Sequence, residues 1–416
     1  MLAVLRQRNF TLLWAGGLIS MLGDWLLFIA LPFYIYDLTG SALATGAMFI
    51  AETLPILLFG SLGGVFADRW DRKTTMIVAD ALRAALLLLL LAVQSPAWLW
   101  AIYLVVFAQS SIGQFFNPAK GALLPQLVDE QQLMPANSLN SLGVELTRLV
   151  GAPLGGALMA LTGLASVVIV DSVSFLLSAL LIGLIAAPAR AQVAPATSAG
   201  TLLATIGRDL THGLRLVGAT RWLAGLFLAM AVVMFGQGIT NVLLVPFIDQ
   251  VLHGDAQIFG WIVTAQGVGG LIGGVLAGTI GRLFAPARIM AVSAVVMGLL
   301  VLLIVNIPVL PIVLGLLAVI GLPVVAFMVS EATMLQSGVA DQYRGRVLGT
   351  YGMMQALALL CGMGMASALG DTLGVVPLLD LVSGLYVLAG LLVLALVGGY
   401  RPAASDAPAL SGEPAP

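Results

Sequence analysis

Ionisable side chains that interrupt long apolar runs are the first candidates for chemistry in this sequence. Asp24 lies near the middle of the run 10–36, and Glu52 lies within 44–66. Asp80 and Arg83 are three apart in 74–94, as are Glu145 and Arg148 in 138–162, so on a helix each pair shares one face. Asp171, Glu331 and Asp380 fall nearer the ends of their runs. A charge held away from water is costly unless it faces a cavity, a partner or a proton. For Asp24 and Glu52 this points to proton coupling or substrate binding, with a hydrogen-bond acceptor between helices as the other reading. Glu145 and Arg148 fit a structural ion pair or a pair that exchanges partners during a conformational cycle. Asp80 and Arg83 read as a structural pair near the end of their run. No acid lies deep in the runs 221–248, 257–280, 286–305 or 346–369, so a proton site is expected in the first half of the chain.

Other chemistries find little support. His212 and His253 are the only 2 histidines, and both lie outside the apolar runs. With the single cysteine, Cys361, they make no metal-ligand cluster. Cys361 sits in an apolar run and is read as a small core residue. There is no Gly-x-x-x-x-Gly-Lys-Ser/Thr loop to hold a nucleoside triphosphate, and no nucleophile with a base beside it. The expectation is therefore no catalytic residue, no metal, no cofactor and no enzyme. A net charge of −2 gives no reason to expect nucleic acid as a partner.

The elements that carry these side chains are membrane spans. Of 416 residues, 60% are hydrophobic and 9% charged, against about 45–50% and about 25% in soluble domains. The mean hydropathy is +1.09. Runs of about 20 apolar residues indicate helices, and the period-2 alternation of a membrane barrel is missing. Twelve spans are expected at 10–36, 44–66, 74–94, 97–118, 138–162, 164–187, 221–248, 257–280, 286–305, 309–333, 346–369 and 374–398. The apolar segment after the short basic start Met1–Arg8 is too long for a cleaved signal peptide and is read as the first span. All of the 17 basic residues except Arg83 and Arg148 fall before span 1 or in alternate loops, Lys120 among them as the cation after span 4. The other loops hold only Asp37, Asp249, His253, Asp255 and Asp371 as titratable groups. By the positive-inside rule both termini are cytoplasmic, as in a multi-pass protein of a bacterial inner membrane. The expected organisation is an N-terminal six-helix bundle, 1–187; a cytoplasmic linker, 188–220; a C-terminal six-helix bundle, 221–400; and a disordered tail, 401–416. Within the linker, Leu203, Ile206, Leu210, Leu214 and Val217 recur at helical spacing, which fits an interfacial amphipathic helix or a helix packed on the bundle ends.

The densest group of charges outside the runs is Gly64-Val65-Phe66-Ala67-Asp68-Arg69-Trp70-Asp71-Arg72-Lys73. This spacing resembles the loop between helices two and three of the major facilitator superfamily of secondary transporters. Gly63-Gly64-Val65-Phe66-Ala67 recurs as Gly273-Gly274-Val275-Leu276-Ala277, and Pro32 has a counterpart in Pro246, as expected for two parallel six-helix repeats. Gly151-Ala152-Pro153-Leu154-Gly155-Gly156 in span 5 is similar to the Gly-Pro-x-x-Gly-Gly motif of proton-coupled antiporters, with Ala152 standing between Gly151 and Pro153. Arg344-Gly345-Arg346-Val347, together with Leu124-Pro125-Gln126-Leu127-Val128 and Ala136-Asn137-Ser138, looks like the exporter branch that includes enterobactin and macrolide efflux carriers.

The resemblance implies a cavity lined by spans 1, 2, 4 and 5 and their counterparts 7, 8, 10 and 11. Trp25, Gln109, Gln114, Gln237, Asn241 and Gln355 are then lining candidates beside Asp24, Glu52, Glu145 and Arg148. A mostly apolar cavity with a few polar anchors suits an amphipathic cargo. The expected function is proton-coupled export of such a small molecule by alternating access, in a monomer surrounded by membrane lipid. Movement of lysophospholipid or lipid by the same fold is the second reading, and a non-transporting membrane sensor a remote third.

The resemblance also implies a gate made by Gly64, Asp68, Arg69, Arg72, Lys73, Arg344 and Arg346. Asp68 would meet the positive N-terminal end of span 11 and hold the cytoplasmic side closed. Gly278 occupies the equivalent place in the second half, so the latch is one-sided. With Cys361 removed, an Asp68→Cys, Gly345→Cys pair should cross-link in one transport state and not in the other, read by gel mobility. Equal yields in both states would remove the switching role.

Overall fold

The structure, a computed structural model, describes residues 2–67, 70–186 and 211–397. Asp68 and Arg69 of the expected gate, most of the linker and the tail lie outside the described residues. Among the described residues, 12 helices are long and apolar enough to cross a bilayer. They are α1 (Arg8–Thr39), α2 (Ala42–Ala67), α3 (Arg72–Leu88), α4 (Leu99–Leu123), α5 (Leu133–Thr162), α6 (Leu164–Gly183), α7 (Arg221–Gln250), α8 (Ala256–Leu283), α9 (Pro286–Asn306), α10 (Leu310–Gly338), α11 (Asp341–Leu373) and α12 (Val375–Leu392). The all-helical architecture follows from the solvent. With no water in the hydrocarbon core, every backbone amide must bond within its own segment.

The helices form two six-helix bundles. In the first, α1 packs on α5 and α6, α2 on α4, and α3 on α4 and α6. The second repeats the scheme, with α7 on α11 and α12, α8 on α10, and α9 on α10 and α12. Lipid tails are as apolar as leucine, so helix association rests on close van der Waals approach at small residues. Gly321 of α10 lies against the backbone of Gly269 and Gly270 on α8, and Gly273 of α8 lies against Leu322. Gly238 of α7 and Gly362 of α11 meet in the same way. Cys361, next to Gly362, is turned by one helical step and lies exposed on α11 rather than in the core.

The basic face, where the chain begins, is pinned by the charged loop. Asp71 caps α3 by accepting from the Thr74 amide at 2.8 Å. Arg72 donates to the Ala122 carbonyl (2.9 Å) near the end of α4, and Lys73 to the Ile185 carbonyl (2.8 Å) just past the end of α6. Cations at the negative ends of two helices are favourable, so these residues tie three elements together. Arg344 donates to the Gln336 carbonyl (2.8 Å) at the end of α10. Of the expected amphipathic helix only 211–219 is described. Gly213 packs on Thr350 and Arg346 of α11, and Val217 is buried while Leu214 is exposed. This stretch packs on the bundle ends.

The two bundles meet along two seams, α2 with α11 and α5 with α8. On the first, Asp371 of α11 accepts from the Ser41 hydroxyl and the Ala42 amide, both at 2.8 Å. It therefore caps the N-terminus of α2 from across the interface. Gly46 against Ser367 and Thr53 against Met363 continue this seam inward. Beside it, Gln250 of α7 donates to the Tyr36 hydroxyl of α1 at 2.6 Å. On the second seam, Gly156 meets Ala256, Gly260 meets Ala152, and Gly267 meets Leu149. Toward the basic face, Gly345, Gly349 and Gly352 of α11 and Gly274, Gly278 and Gly281 of α8 face open space among the described residues. The contacts named between the bundles run from the acidic face inward to the level of Gly267.

Two expectations follow. Gly321→Leu should lower the thermal midpoint in detergent, with an overpacking penalty of about 1–3 kcal/mol, while Gly315→Leu, which enters open space, should leave it unchanged. In a Cys361→Ala background, Asp371→Ala should raise the rate at which an impermeant thiol reagent labels Ser367→Cys, roughly fivefold for the loss of about 1 kcal/mol.

Candidate functional site

A cavity of about 320 Å³ lies within the N-terminal bundle. Helical spacing aims its lining residues at one point. Asp24, Trp25, Phe28 and Leu31 come from one face of α1, and Met48, Glu52 and Ile56, four apart, from α2. From α4 come Gln109, Gly113, Gln114 and Asn117, from α3 Arg83 and Leu87, and from α6 Asp171. Most of the wall is apolar. Trp25 packs edge-on against Phe28 with ring centroids 5.2 Å apart, and Phe28 in turn reaches Phe49 at 6.2 Å and Phe259 of the second bundle at 6.3 Å.

The polar part of the site is a buried charge cluster. Arg83 projects from α3 with its guanidinium carbon 4.6 Å from the Phe175 ring centroid, a cation–π contact. Its charge acts on Asp24, Asp80 and Asp171. Asp80 and Asp171 are both 0% exposed. Asp171 accepts from Ser174 through Oδ1 at 3.2 Å, whereas its Oδ2 has no hydrogen-bond partner among the described residues; Asp80 faces the Ser178 hydroxyl. Backbone bonds hold the frame: Gln109 donates to the Arg83 carbonyl (2.9 Å), Ser110 to the Glu52 carbonyl (2.6 Å) and Ser172 to the Ala84 carbonyl (2.9 Å). Gly151 and Gly155 let α5 approach α1 at Trp25 and Leu26. With Pro153 between them and Gly156 on α8, the span 5 motif contacts both the cavity helix and the second bundle.

The structure brings Asp24, Glu52, Trp25, Gln109 and Gln114 together and leaves the other candidates elsewhere. Glu145 and Arg148 are paired, 3.9 Å apart. Arg148 lies against Gly267 at the α5–α8 seam, and Glu145 lines a shallow groove with Asn137 and Ser138. Gln237 donates to Asn241 at 2.8 Å along α7, and Gln355 is half-buried on α11.

Four residues of the N-terminal bundle differ from the sequence reading. Asp171 is not peripheral but faces Gly23, where a side chain would collide with its carboxylate. The pattern Asp171, Ser174, Ser178, spaced i, i+3, i+7, was the signal for a polar helix face. Asp80 and Arg83 are not a self-contained pair near the rim; Arg83 belongs to the cavity. Lys120 is not a loop cation, because α4 continues through Pro118 to Leu123. Its ammonium lies against Gly17 of α1.

Comparison with known proteins agrees with this geometry. Residues 1–407 match the family model described as transmembrane secretion effector. The chain is 27% identical to the MFS-type transporter YfiS of Bacillus subtilis strain 168, over 93% of each chain. It is 25% identical to macrolide efflux protein A of Streptococcus pyogenes, covering 88% of this chain and 90% of that one. Among solved structures, a bacterial homologue of the iron transporter ferroportin in its inward-facing state superposes with a TM-score of 0.77 at 17% identity, covering 94% and 98%. The fold, the repeat and the matched length agree: the chain belongs to the transmembrane secretion effector family of major facilitator transporters.

Proposed function

We propose that this protein is a proton-coupled exporter, an antiporter of amphipathic or lipophilic small molecules of the drug or siderophore type. It works by alternating access as a monomer in a bacterial inner membrane, with both termini in the cytoplasm. The observation that carries the reading is Asp24. It stands with Glu52 in the wall of a mainly apolar cavity, where a carboxyl can exchange a proton against the arrival of cargo. The cavity volume is at the lower end of the usual range for small-molecule sites, about 300–1,000 Å³. Efflux by the related macrolide protein supports export. With the basic face cytoplasmic, the present arrangement is inward-facing. Contacts from Asp371 to Ser41 and from Gln250 to Tyr36 close the outer side.

The experiment uses purified protein in proteoliposomes with an imposed pH gradient and a panel of fluorescent lipophilic dyes. Wild type should move at least one dye against the proton gradient. Asp24→Asn should lower that rate roughly tenfold or more, as expected when a coupling acid in a span is neutralised, while still binding the dye. An unchanged pH-driven rate in Asp24→Asn would remove the assignment.

A further inference from the structure

We propose that Asp171 is a second proton-carrying carboxyl, and that it exchanges its proton with the basic face through a polar seam inside the N-terminal bundle, separate from the mouth of the cargo cavity. This rests on the proton coupling proposed for Asp24.

The seam is traced along four helices, α1, α3, α4 and α6. On α6, Asp171, Ser174 and Ser178 lie on one face and lead toward the helix's basic-face end, with about 10 Å from Asp171 to Ser178 at 1.5 Å per residue. On α3, the step from Arg83 to Asp80 leads the same way. On α4, Gly113 lies beside the Arg83 guanidinium and Lys120 stands two turns further on. On α1, Gly23 abuts the Asp171 carboxylate and Gly17 abuts the Lys120 ammonium. The seam thus runs from Asp171, at the cavity, to Lys120, near the basic face.

Unpartnered atoms mark its cavity end. Asp171 Oδ2, Arg83 Nε and Gln109 Oε1 are buried without hydrogen-bond partners among the described residues, and further toward the basic face the Asp80 carboxylate faces the Ser178 hydroxyl. Buried polar atoms in native proteins are almost always satisfied, by ordered water where protein supplies nothing. In this proposal water stands along these polar groups, and a file of water carries protons.

Charge balance points the same way. Asp24 of α1, Glu52 of α2, Asp80 of α3 and Asp171 of α6 oppose only Arg83 of α3 and Lys120 of α4 inside the bundle. The charges of α5, Glu145 and Arg148, are engaged with each other at the α8 seam. Four carboxylates against two cations leave two negative charges uncompensated, an expensive state away from bulk water. Two bound protons restore neutrality: one on Asp24 by the reading above, the other on Asp171, the acid where seam and cavity meet. When a hydronium in the file gives its proton to Asp171 Oδ2, an O–H bond forms on the carboxylate and one breaks on the hydronium, leaving water. The charge of Arg83 is then left to compensate Asp80. Discharge reverses the step, and nothing is oxidised or reduced.

The test counts buried carboxyls directly and needs no cargo. The full chain in lipid nanodiscs is titrated while the carboxylic acid C=O stretch is followed by infrared difference spectroscopy. Wild type should show two buried components from the N-terminal bundle, one missing in Asp24→Asn and the other in Asp171→Asn, with any component of Glu331 in the second bundle unchanged in both. Asp171→Glu, which keeps the acid, should retain the second component at a shifted frequency and guards against misfolding. Ser178→Leu, which fills the seam, should slow the D₂O shift of the Asp171 component at least tenfold and leave that of Asp24 unchanged. Loss of a component only in Asp24→Asn would overturn the role of Asp171 and leave the coupling at Asp24 standing. Loss only in Asp171→Asn would overturn the assignment of Asp24, and with it the reading of Asp171 as a second site. Displacement of the Asp171 component by sodium at constant pH would make the site one for a metal cation and overturn proton carriage. Equal slowing of both components in Ser178→Leu would overturn the separate route.

Discussion

A charge taken out of water has to be compensated, and the N-terminal bundle is arranged around that constraint. Arg83 is the fixed point. It stands over the Phe175 ring and beside the glycine surface at Gly113, and its charge acts on three carboxylates, from two other helices and its own. A buried ion is tolerated only with compensating charge nearby, which ties α1, α3 and α6 into one electrostatic unit. The close packing at Gly23 and Gly113 follows from the same demand, since a side chain at Gly23 would displace the Asp171 carboxylate.

The two bundles share a packing scheme but not a chemistry. Both use glycine to bring backbones together, at Gly151 and Gly155 in the first and at Gly238, Gly321 and Gly362 in the second. The buried charges are divided unequally. Asp80 and Asp171 are fully buried in the first bundle, whereas Glu331 is the buried carboxylate among the described residues of the second. An internal duplication explains the scaffold. The chemical asymmetry lies in a few positions where one copy carries ionisable groups and the other does not.

The seams between the bundles are lightly built. Their contacts are small residues and a few hydrogen bonds to backbone groups, not interlocked large side chains. Asp371 holds α2 through its N-terminal amide and Ser41, an exposed contact that can be made and broken in water. Near mid-membrane, Arg148 and Glu145 stay paired beside Gly267. They supply polarity at the seam without reaching the cavity.

Composition and spacing alone determined a good deal. Apolar runs separated by charged loops dictate twelve helices, because the bilayer leaves no other way to satisfy a backbone. The alternation of Arg and Lys between loops sets which ends share a face. Asp24, Glu52, Trp25, Gln109 and Gln114 were legible as a cavity set, since a polar group inside a span is conspicuous against its surroundings. The environment of Asp171 and Lys120 was not legible. Distance from the end of a run says nothing about which neighbour a helix face will meet, and Pro118 looked like a terminus when the helix passes through it. Nor could sequence spacing show that Arg148 turns to α8 while Arg83 turns inward, since both pairs have the same i, i+3 pattern. Sequence spacing fixes a side chain's angle on its own helix. Only the packing of six helices decides what stands opposite, and in a medium without water that neighbour determines whether a charge is structural, paired or free to exchange a proton.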